Sequence, residues 1–305
     1  MNDKNFRSGF VAVIGRPNVG KSTLVNALLG QKIAIVSDKP QTTRNRLLGV
    51  LTREEGQIIF LDTPGIHRPQ HKLGEYMVGV AQRTLREVDV ILFVVDGTRE
   101  VGPGDQHIAS LLREAATPVF LAVNKIDQLK KSEVPAVVKA YSTLANFSGV
   151  LPISALLGEN LPALVRELLH LLPPGPMYYP ADQITDQPER LLASELIREK
   201  VLYLTRDEVP HSVAVDIEEF TERGDLLYIR AVLYVERDSQ KGIIVGQGGQ
   251  RLKEIGTLAR QEMEGLFGNK VYLDLWVKVK KDWRNQESAL RSFGYDLNLI
   301  RRGEA

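Results

Sequence analysis

The residues Gly15-Arg16-Pro17-Asn18-Val19-Gly20-Lys21-Ser22 spell G-x-x-x-x-G-K-S/T, followed by Thr23. Glycines at 15 and 20 let backbone N–H groups converge on a polyphosphate with no Cβ in the way. Lys21 is placed to reach the β- and γ-phosphates as a point charge, and the Ser22 hydroxyl suits Mg²⁺. A chance glycine turn would satisfy the pattern too. The flanks argue against it: the apolar run "FVAVIG" precedes the loop and a helical pattern from Lys21 to Leu29 follows, the context a phosphate loop requires.

Three further segments share that logic, each at the end of an apolar run. Asp62-Thr63-Pro64-Gly65 ends "IIFL". It offers a carboxylate to hold a water on Mg²⁺ and a glycine N–H for the γ-phosphate, although Asp and Pro also start ordinary turns. Asn124-Lys125-Ile126-Asp127 ends "VFLAV". The Asp127 carboxylate can accept from N1–H and the exocyclic amine of guanine; adenine has neither in that place. Asn124 would brace the loop, and the Lys125 stem would lie along the base. Ser154-Ala155-Leu156 ends "VLPI", with the Ala155 N–H for guanine O6. Four strand-end loops in this order predict a guanine-nucleotide site with GTP hydrolysis as its chemistry.

The elements that must position them alternate. "FVAVIG", "QIIFLDTPG", "VILFVVDG", "PVFLAVNK" and "GVLPIS" are short, β-rich runs that read as buried parallel strands. Helical stretches such as Lys21 to Leu29, Ile108 to Ala115 and Val134 to Leu144 lie between them. This is an α/β pattern with functional loops at the carboxyl ends of its strands. The stretch "LLPPGPMYYPADQITDQPER" then reads as an ordered or semi-rigid linker. The boundaries expected are residues 8–175 for the first domain, 176–190 for the linker, 191–285 for a second domain and 286–305 for a C-terminal helix and tail. The chain has 305 residues, 43% hydrophobic, a formal charge of +1 and no cysteine. Disulfides, zinc-thiolate sites and cysteine nucleophiles are excluded, a reducing cytosol is suited, and any polyanion-binding surface must be local. The apolar runs are too short to span a bilayer.

The second domain carries a different glycine loop. Gly246-Gln247-Gly248-Gly249 matches G-x-x-G between two helical patterns and has no Lys-Ser or Lys-Thr. Around it run a helix from Leu191 to Leu204, alternating strands "VAVDIEEF" and "LLYIRAVLYVE" split by a turn at Arg223-Gly224-Asp225, the strand "KVYLDLWVKVK", and a final helix from about Trp283. In the last strand Val271, Leu273, Leu275, Val277 and Val279 face one way. Tyr272 and Trp276 share its polar face, where packing against the final helix is the structural role expected. The order helix, strand, strand, helix, helix, strand resembles an α+β type II KH domain, whose loop clamps about four single-stranded nucleotides. Lys241, Arg251 and Lys253 flank the loop, and Lys278, Lys280, Lys281 and Arg284 form a second basic run.

Taken together, the phosphate loop, "KPQTTRNRLLGV", "DTPGIH" and the glycines at 246 to 249 resemble the Era family, within the TrmE–Era–EngA-like P-loop GTPases, over nearly the whole chain. The resemblance implies a Ras-like, mostly parallel α/β GTPase domain followed by the KH domain. It makes the threonine before the arginine of "QTTR" the residue that closes on Mg²⁺ and the γ-phosphate; Thr43 is the matching position, with Thr42 beside it as the alternative. Lys21, Thr43, Gly65 and Asn18 would then form the catalytic group, and Ser22, Thr43 and Asp62 the metal group. Where Ras-like enzymes orient water with Gln, this chain has Ile66, so unaided hydrolysis must be slow. Asn18 is a candidate K⁺ ligand, as in similar GTPases; the alternative is that it merely fits the turn. His67 and His71 read as surface residues rather than a metal pair. The resemblance further implies a cytoplasmic protein that binds the 3′ end of 16S ribosomal RNA in assembly of the 30S subunit, and leaves open a peripheral association with the inner face of the cell membrane. A GTP-gated module for protein or acidic lipid is the rival reading.

Overall fold

The computed structural model describes residues 6–37, 39 and 41–301. The chain forms two compact units. The first comprises residues 1–34, 43–68 and 77–186, and the second residues 35–42, 69–76 and 187–305.

In the first unit β1 (Arg7–Ile14), α1 (Lys21–Leu29), β2 (Leu47–Arg53), β3 (Gly56–Asp62), α2 (Lys72–Leu85, whose first turn groups with the second unit), β4 (Val90–Asp96), α3 (Pro103–Arg113), β5 (Val119–Asn124), α4 (Val134–Ser142), β6 (Gly149–Pro152) and α5 (Leu161–Leu171) follow in order. The sheet runs β2-β3-β1-β4-β5-β6. Every pairing is parallel except β2 with β3. The strands are apolar on both faces because both are covered. Val11, Val13, Phe60, Leu92 and Val94 pack with Leu24 and Leu28 of α1 and Leu164 and Leu168 of α5. The alternate residues Ala12, Ile14, Ile91, Phe93 and Val95 pack with Ala81, Ile108, Leu112 and Tyr141 of α2, α3 and α4.

The sequence reading did not separate β2. It contains Gly49, where a Cβ would stand 2.6 Å from Leu29 and 2.9 Å from Ile33. The glycine that weakens the strand signal is what lets α1 approach it. Helix α3 starts at Pro103 rather than Ile108 because Asp105 accepts from the Gly102 N–H at 3.0 Å and so holds the first turn. The proline-rich stretch up to residue 186 lies in the first unit. Tyr178 and Tyr179 N–H both donate to Gln57 Oε1, Val50 N–H donates to Ile184 O, and Thr185 Oγ1 donates to Leu48 O.

The second unit contains α6 (Glu189–Leu204), α7 (Val209–Ser212), β7 (Ala214–Arg223), β8 (Leu226–Val235), α8 (Asp238–Val245), α9 (Gln250–Phe267), β9 (Lys270–Val279), α10 (Glu287–Ser292) and α11 (Leu297–Arg301). Its sheet runs β7-β8-β9, antiparallel then parallel, which leaves β9 at an edge. Gly224, at φ 63°, turns β7 into β8. Ile197, Val201, Ile244, Ile255, Ala259 and Met263 pack against Ile229, Ala231, Leu233, Val271 and Val277, so the helices cover one face. The single final helix expected from Trp283 is instead broken. Trp283–Asn285 is a 3₁₀ turn, and Gly294 at φ 83° separates α10 from α11. Trp283 is fully buried and donates its indole N–H to Ser212 O at 2.7 Å, which pins the chain where a continuous helix would carry it away.

Candidate functional site

The first glycine loop lies between β1 and α1. Gly15 has φ 154°, and a Cβ there would stand 2.2 Å from Val94 O. Gly20 has φ 97°, and its Cβ would meet Asn124 Nδ2 at 2.4 Å. Neither position admits another residue without moving backbone or the Asn124 brace. Pro17 lies against Gly65, where a Cβ would come within 2.6 Å of the Pro17 nitrogen. Val19 is buried, and its carbonyl accepts from Asn124 Nδ2 at 2.9 Å. Arg16 pairs with Asp105 at 2.7 Å. Thr23 sits in the first turn of α1.

Lys21 is buried and donates to Arg16 O at 2.9 Å and Gly15 O at 3.3 Å, lying across the loop it serves. Burial lowers its pKa to about 8, with the Asp62 charge opposing the shift. Burial in turn pushes the Asp62 carboxyl up, against the pull of Lys21 and of hydrogen bonds from Ser22, Thr43 and the Thr63 backbone. Ser22 Oγ donates to Asp62 Oδ2 at 2.7 Å and lies 2.9 Å from Thr43 Oγ1, which is 3.3 Å from the same Asp62 oxygen. The structure thus brings Thr43, not Thr42, to this cluster; Thr42 Oγ1 donates to Lys39 O at 2.6 Å. Asp62 Oδ1 is buried with no hydrogen-bond partner among the described residues. Three hard oxygen donors and an orphaned carboxylate oxygen fit Mg²⁺. Thr63 anchors the turn through Oγ1 to Val13 O at 2.8 Å, and Pro64 leads into Gly65.

Ile66 is turned into the core with Ile14 and Ala81, so its side chain has no part in phosphate chemistry. His67 Nδ1 lies 2.8 Å from Gly65 O. Since a carbonyl only accepts, that nitrogen carries the proton. Among the described residues no group of three His, Cys, Asp or Glu could hold a metal. Asn18 adopts φ 65°, a left-handed geometry that asparagine tolerates best among non-glycine residues. Its carbonyl accepts from Lys125 Nζ at 2.8 Å.

At the other end of the site Asp127 Oδ1 accepts from Ser154 Oγ at 2.6 Å. Ala155 N–H, expected to face guanine O6, here donates to Asn124 Oδ1 at 2.9 Å. Asn124 therefore ties the phosphate loop to the base-side loop. Two acids escaped the sequence reading. Asp96, the last residue of β4, binds Lys125 Nζ at 2.6 Å; burial raises its pKa, but the hydrogen bonds from Lys125 and Thr98 leave it lowered. Asp105 is buried and fixes Arg16. The signals were there: an acid at a strand end, and an acid in a helix's first turn behind a glycine and a proline.

The second glycine loop joins α8 to α9 through a 3₁₀ turn, Gln247–Gly249. Gly246, Gly248 and Gly249 have φ 71°, 56° and 80°. A Cβ on Gly248 or Gly249 would meet nothing within 4 Å, so space remains for an incoming backbone. Gln247, Gly248, Lys241 and Lys253 are exposed. Arg251 spends one N–H on Ile243 O at 2.8 Å, closing the end of α8. Beside the loop lies a groove of about 370 Å³ lined by Leu252, Lys253, Gly256, Thr257, Leu273 and Leu275 of α9 and β9. Its apolar floor and cationic rim suit bases and a phosphate backbone. Of the groove residues, Gly249 and Lys253 were expected from sequence to meet RNA; Leu252, Leu273 and Leu275 were not, because their types and spacing say only "core".

Residues 10–125 match the family model described as 50S ribosome-binding GTPase, and residues 208–284 match the KH domain model. The chain is 56% identical to GTPase Era of Heliobacterium modesticaldum over 97% of its own length and 99% of that protein's. Among solved structures it is similar to a point variant of Aquifex aeolicus Era bound to GDP·AlF4⁻, with 47% identity and a TM-score of 0.92, covering 95% of this chain and all of that one. It is equally similar to Era in complex with MgGDPNP and nucleotides 1506–1542 of 16S ribosomal RNA, with 47% identity and a TM-score of 0.92 over 96% of this chain and all of that one.

Proposed function

The chain belongs to the Era family of GTPases, and from that premise we propose a GTP-driven switch on single-stranded RNA, with the 3′ end of 16S ribosomal RNA as the RNA and assembly of the 30S subunit as the setting. The observation that carries this reading is the pair of glycine loops, one built for a nucleotide and one for a polynucleotide. Lys21, Gly15, Arg16, Pro17, Asn18, Val19, Gly20, Ser22 and Thr23 hold the phosphates. Asn124, Lys125, Asp127, Ser154 and Ala155 hold the base, the Ala155 N–H turning from Asn124 to guanine O6. Ser22, Thr43 and Asp62 would hold Mg²⁺, which when bound neutralises charge on the β- and γ-phosphates.

The chemistry assigned to these residues is positioning. The Gly65 N–H and Lys21 hold the γ-phosphoryl group while a water adds to phosphorus and the bond to the β–γ bridging oxygen breaks, releasing GDP and phosphate. No side chain at Ile66 orients that water, so the site is a timer with slow unaided turnover. Gly246, Gln247, Gly248 and Gly249 clamp the RNA backbone, with Lys241, Arg251 and Lys253 around it. A relative solved with this RNA segment and a GTP analogue supports the choice of RNA, and the site of action follows as cytoplasmic.

The test is filter binding of an RNA spanning nucleotides 1506–1542 with GTP analogue and with GDP, beside vesicles containing anionic lipid. RNA affinity that rises with the GTP analogue carries the proposal. No helix among the described residues is long and apolar enough to cross a membrane, so nucleotide-dependent capture by the vesicles without RNA binding would instead select a peripheral lipid module.

A further inference from the structure

The outer face of the β7-β8-β9 sheet, away from the helices, is not fully covered. Near Tyr234 it is closed by Phe293, with ring centroids 4.9 Å apart. Toward the other end Tyr272 and Trp276 of the edge strand β9 stand 56% and 57% exposed. Packing against a final helix, the role expected from the sequence, would have buried them more deeply.

Tyr272 is preorganised. It pairs in register with Tyr228 of β8, and the two rings stack at 5.6 Å and 8°. The Arg223 guanidinium lies 3.9 Å from the Tyr228 ring centroid and continues the stack. Arg230 locks it from the side, donating to Tyr228 Oη at 2.9 Å and to Asp274 Oδ2 at 3.1 Å. Aromatic surface is normally buried; here a fixed stack keeps Tyr272 half exposed at the edge of a sheet.

The strand itself says what belongs there. Leu273 and Leu275 line the groove beside the second glycine loop, and Tyr272 and Trp276 alternate with them on the opposite face of β9. A single strand leaving the groove has only the thickness of one edge strand to cross. The two rings are four residues apart, roughly 13 Å along the strand, so they serve separate bases. Between them stands the charged Asp274, so the face lacks the contiguous apolar patch that would mark a protein-docking surface. Charges around the rings are already paired: Arg223 with Glu219 at 2.7 Å, Arg230 with Asp274 at 3.1 Å and Lys278 with Glu218 at 3.0 Å.

We propose that Tyr272 and Trp276 form a stacking platform for RNA bases beyond the segment held in the groove, extending the RNA site around the edge of β9 onto the outer face of the sheet. The proposal rests on the RNA-binding reading of the groove. Because the surrounding charges are compensated, the platform contributes stacking rather than phosphate neutralisation.

The experiment uses the full-length protein with the GTP analogue, the RNA spanning nucleotides 1506–1542, and the best-binding member of a set of overlapping tetranucleotides cut from it. Tyr272→Ala and Trp276→Ala are each expected to weaken the long RNA by about 5- to 150-fold, the span of one base–aromatic stack. Tetranucleotide affinity and the log–log salt slope should stay at wild-type values. Tyr272→Phe and Trp276→Phe should restore binding, and the long RNA should quench tryptophan fluorescence in the wild type but not in Trp276→Ala. Unchanged long-RNA affinity in the folded double variant Tyr272→Ala, Trp276→Ala overturns the platform. Equal loss of the tetranucleotide also overturns it, since the substitutions would then act on the groove. The underlying reading fails separately, if Gln247→Asp with Gly248→Asp leaves tetranucleotide binding intact.

Discussion

Asp127 separates guanine from adenine by charge, with one oxygen already fixed by Ser154 at 2.6 Å. Asp127→Asn places a donor against the donors of guanine. GTP affinity should fall by on the order of 2–5 kcal/mol, the cost of losing two hydrogen bonds to a charged acceptor, while XTP, which offers an acceptor, gains relative affinity; titration calorimetry with both nucleotides checks this, and unchanged GTP affinity removes Asp127 from the base site. Lys21 makes a pH prediction. Its pKa of about 8 in the free protein is set first by burial. Triphosphate at the ammonium favours the charged form, so binding raises that pKa. Proton uptake on binding should be small near pH 6.5, where Lys21 is charged in both states, and should grow toward one proton above pH 8. Calorimetry in buffers of different ionisation enthalpy reads it, and flat uptake from pH 7 to 9 contradicts the burial argument. Asn18 decides the K⁺ question. Its φ of 65° explains an asparagine without any ion, so alanine would disturb the turn as well as the side chain. Asn18→Gly keeps the turn and removes the oxygen. Unaided turnover should be near roughly 10⁻³ s⁻¹; if Asn18 binds K⁺, Na⁺ slows it in the wild type and not in Asn18→Gly. Equal wild-type rates in both salts leave the turn as the sole role.

At the scale of elements the two glycine loops differ in what their backbones are free to do. The loop before α1 is packed: Gly15 and Gly20 press on Val94 and Asn124. The loop before α9 is open at Gly248 and Gly249. Two acids there should repel an RNA backbone without touching a core. Gly248, however, sits at φ 56°, so Asp at that position adds strain of about 1–2 kcal/mol. Gln247→Asp alone avoids this and should weaken RNA severalfold; adding Gly248→Asp should abolish binding while GTP affinity holds. Full-strength RNA binding in the folded double variant reduces the loop to a helix connector. These loops were legible in the sequence because convergent amides force glycine and because strand-end loops follow chain order. Less legible was whatever depends on a neighbour distant in sequence. β2 is disguised by Gly49, which exists for Leu29 and Ile33. Asp96 matters only because Lys125 reaches it. The last helix breaks because Trp283 is fixed to Ser212. Thr42 and Thr43 are alike in sequence and were separated only by Ser22 and Asp62.

At the scale of the whole molecule, each unit has its own apolar core, which permits two unfolding transitions. The chain does not divide at one point, however. Residues 35–42 and 69–76 group with the second unit, although Thr43 and Gly65, close by in sequence, belong to the first. Within the second unit the buried Arg198, paired with Glu195, donates to Thr42 O, and Glu199 accepts from Val36 N–H at 2.8 Å. Ordering Thr43 around a nucleotide therefore restrains a peptide that the second unit also holds. A GTP analogue with Mg²⁺ at one hundred times its Kd stabilises the unit that binds it by about 2.7 kcal/mol, a shift of several degrees for a domain of this size. Scanning calorimetry should show that shift in the transition of the first unit and a smaller upward shift in that of the second. By linkage, RNA should raise the second transition and carry the first upward with it, and the factor by which nucleotide changes RNA affinity must equal the factor by which RNA changes nucleotide affinity. A second transition that stays fixed while nucleotide saturates the first would mean that the two exchanged segments follow the first unit alone, and that the nucleotide and RNA sites are energetically independent.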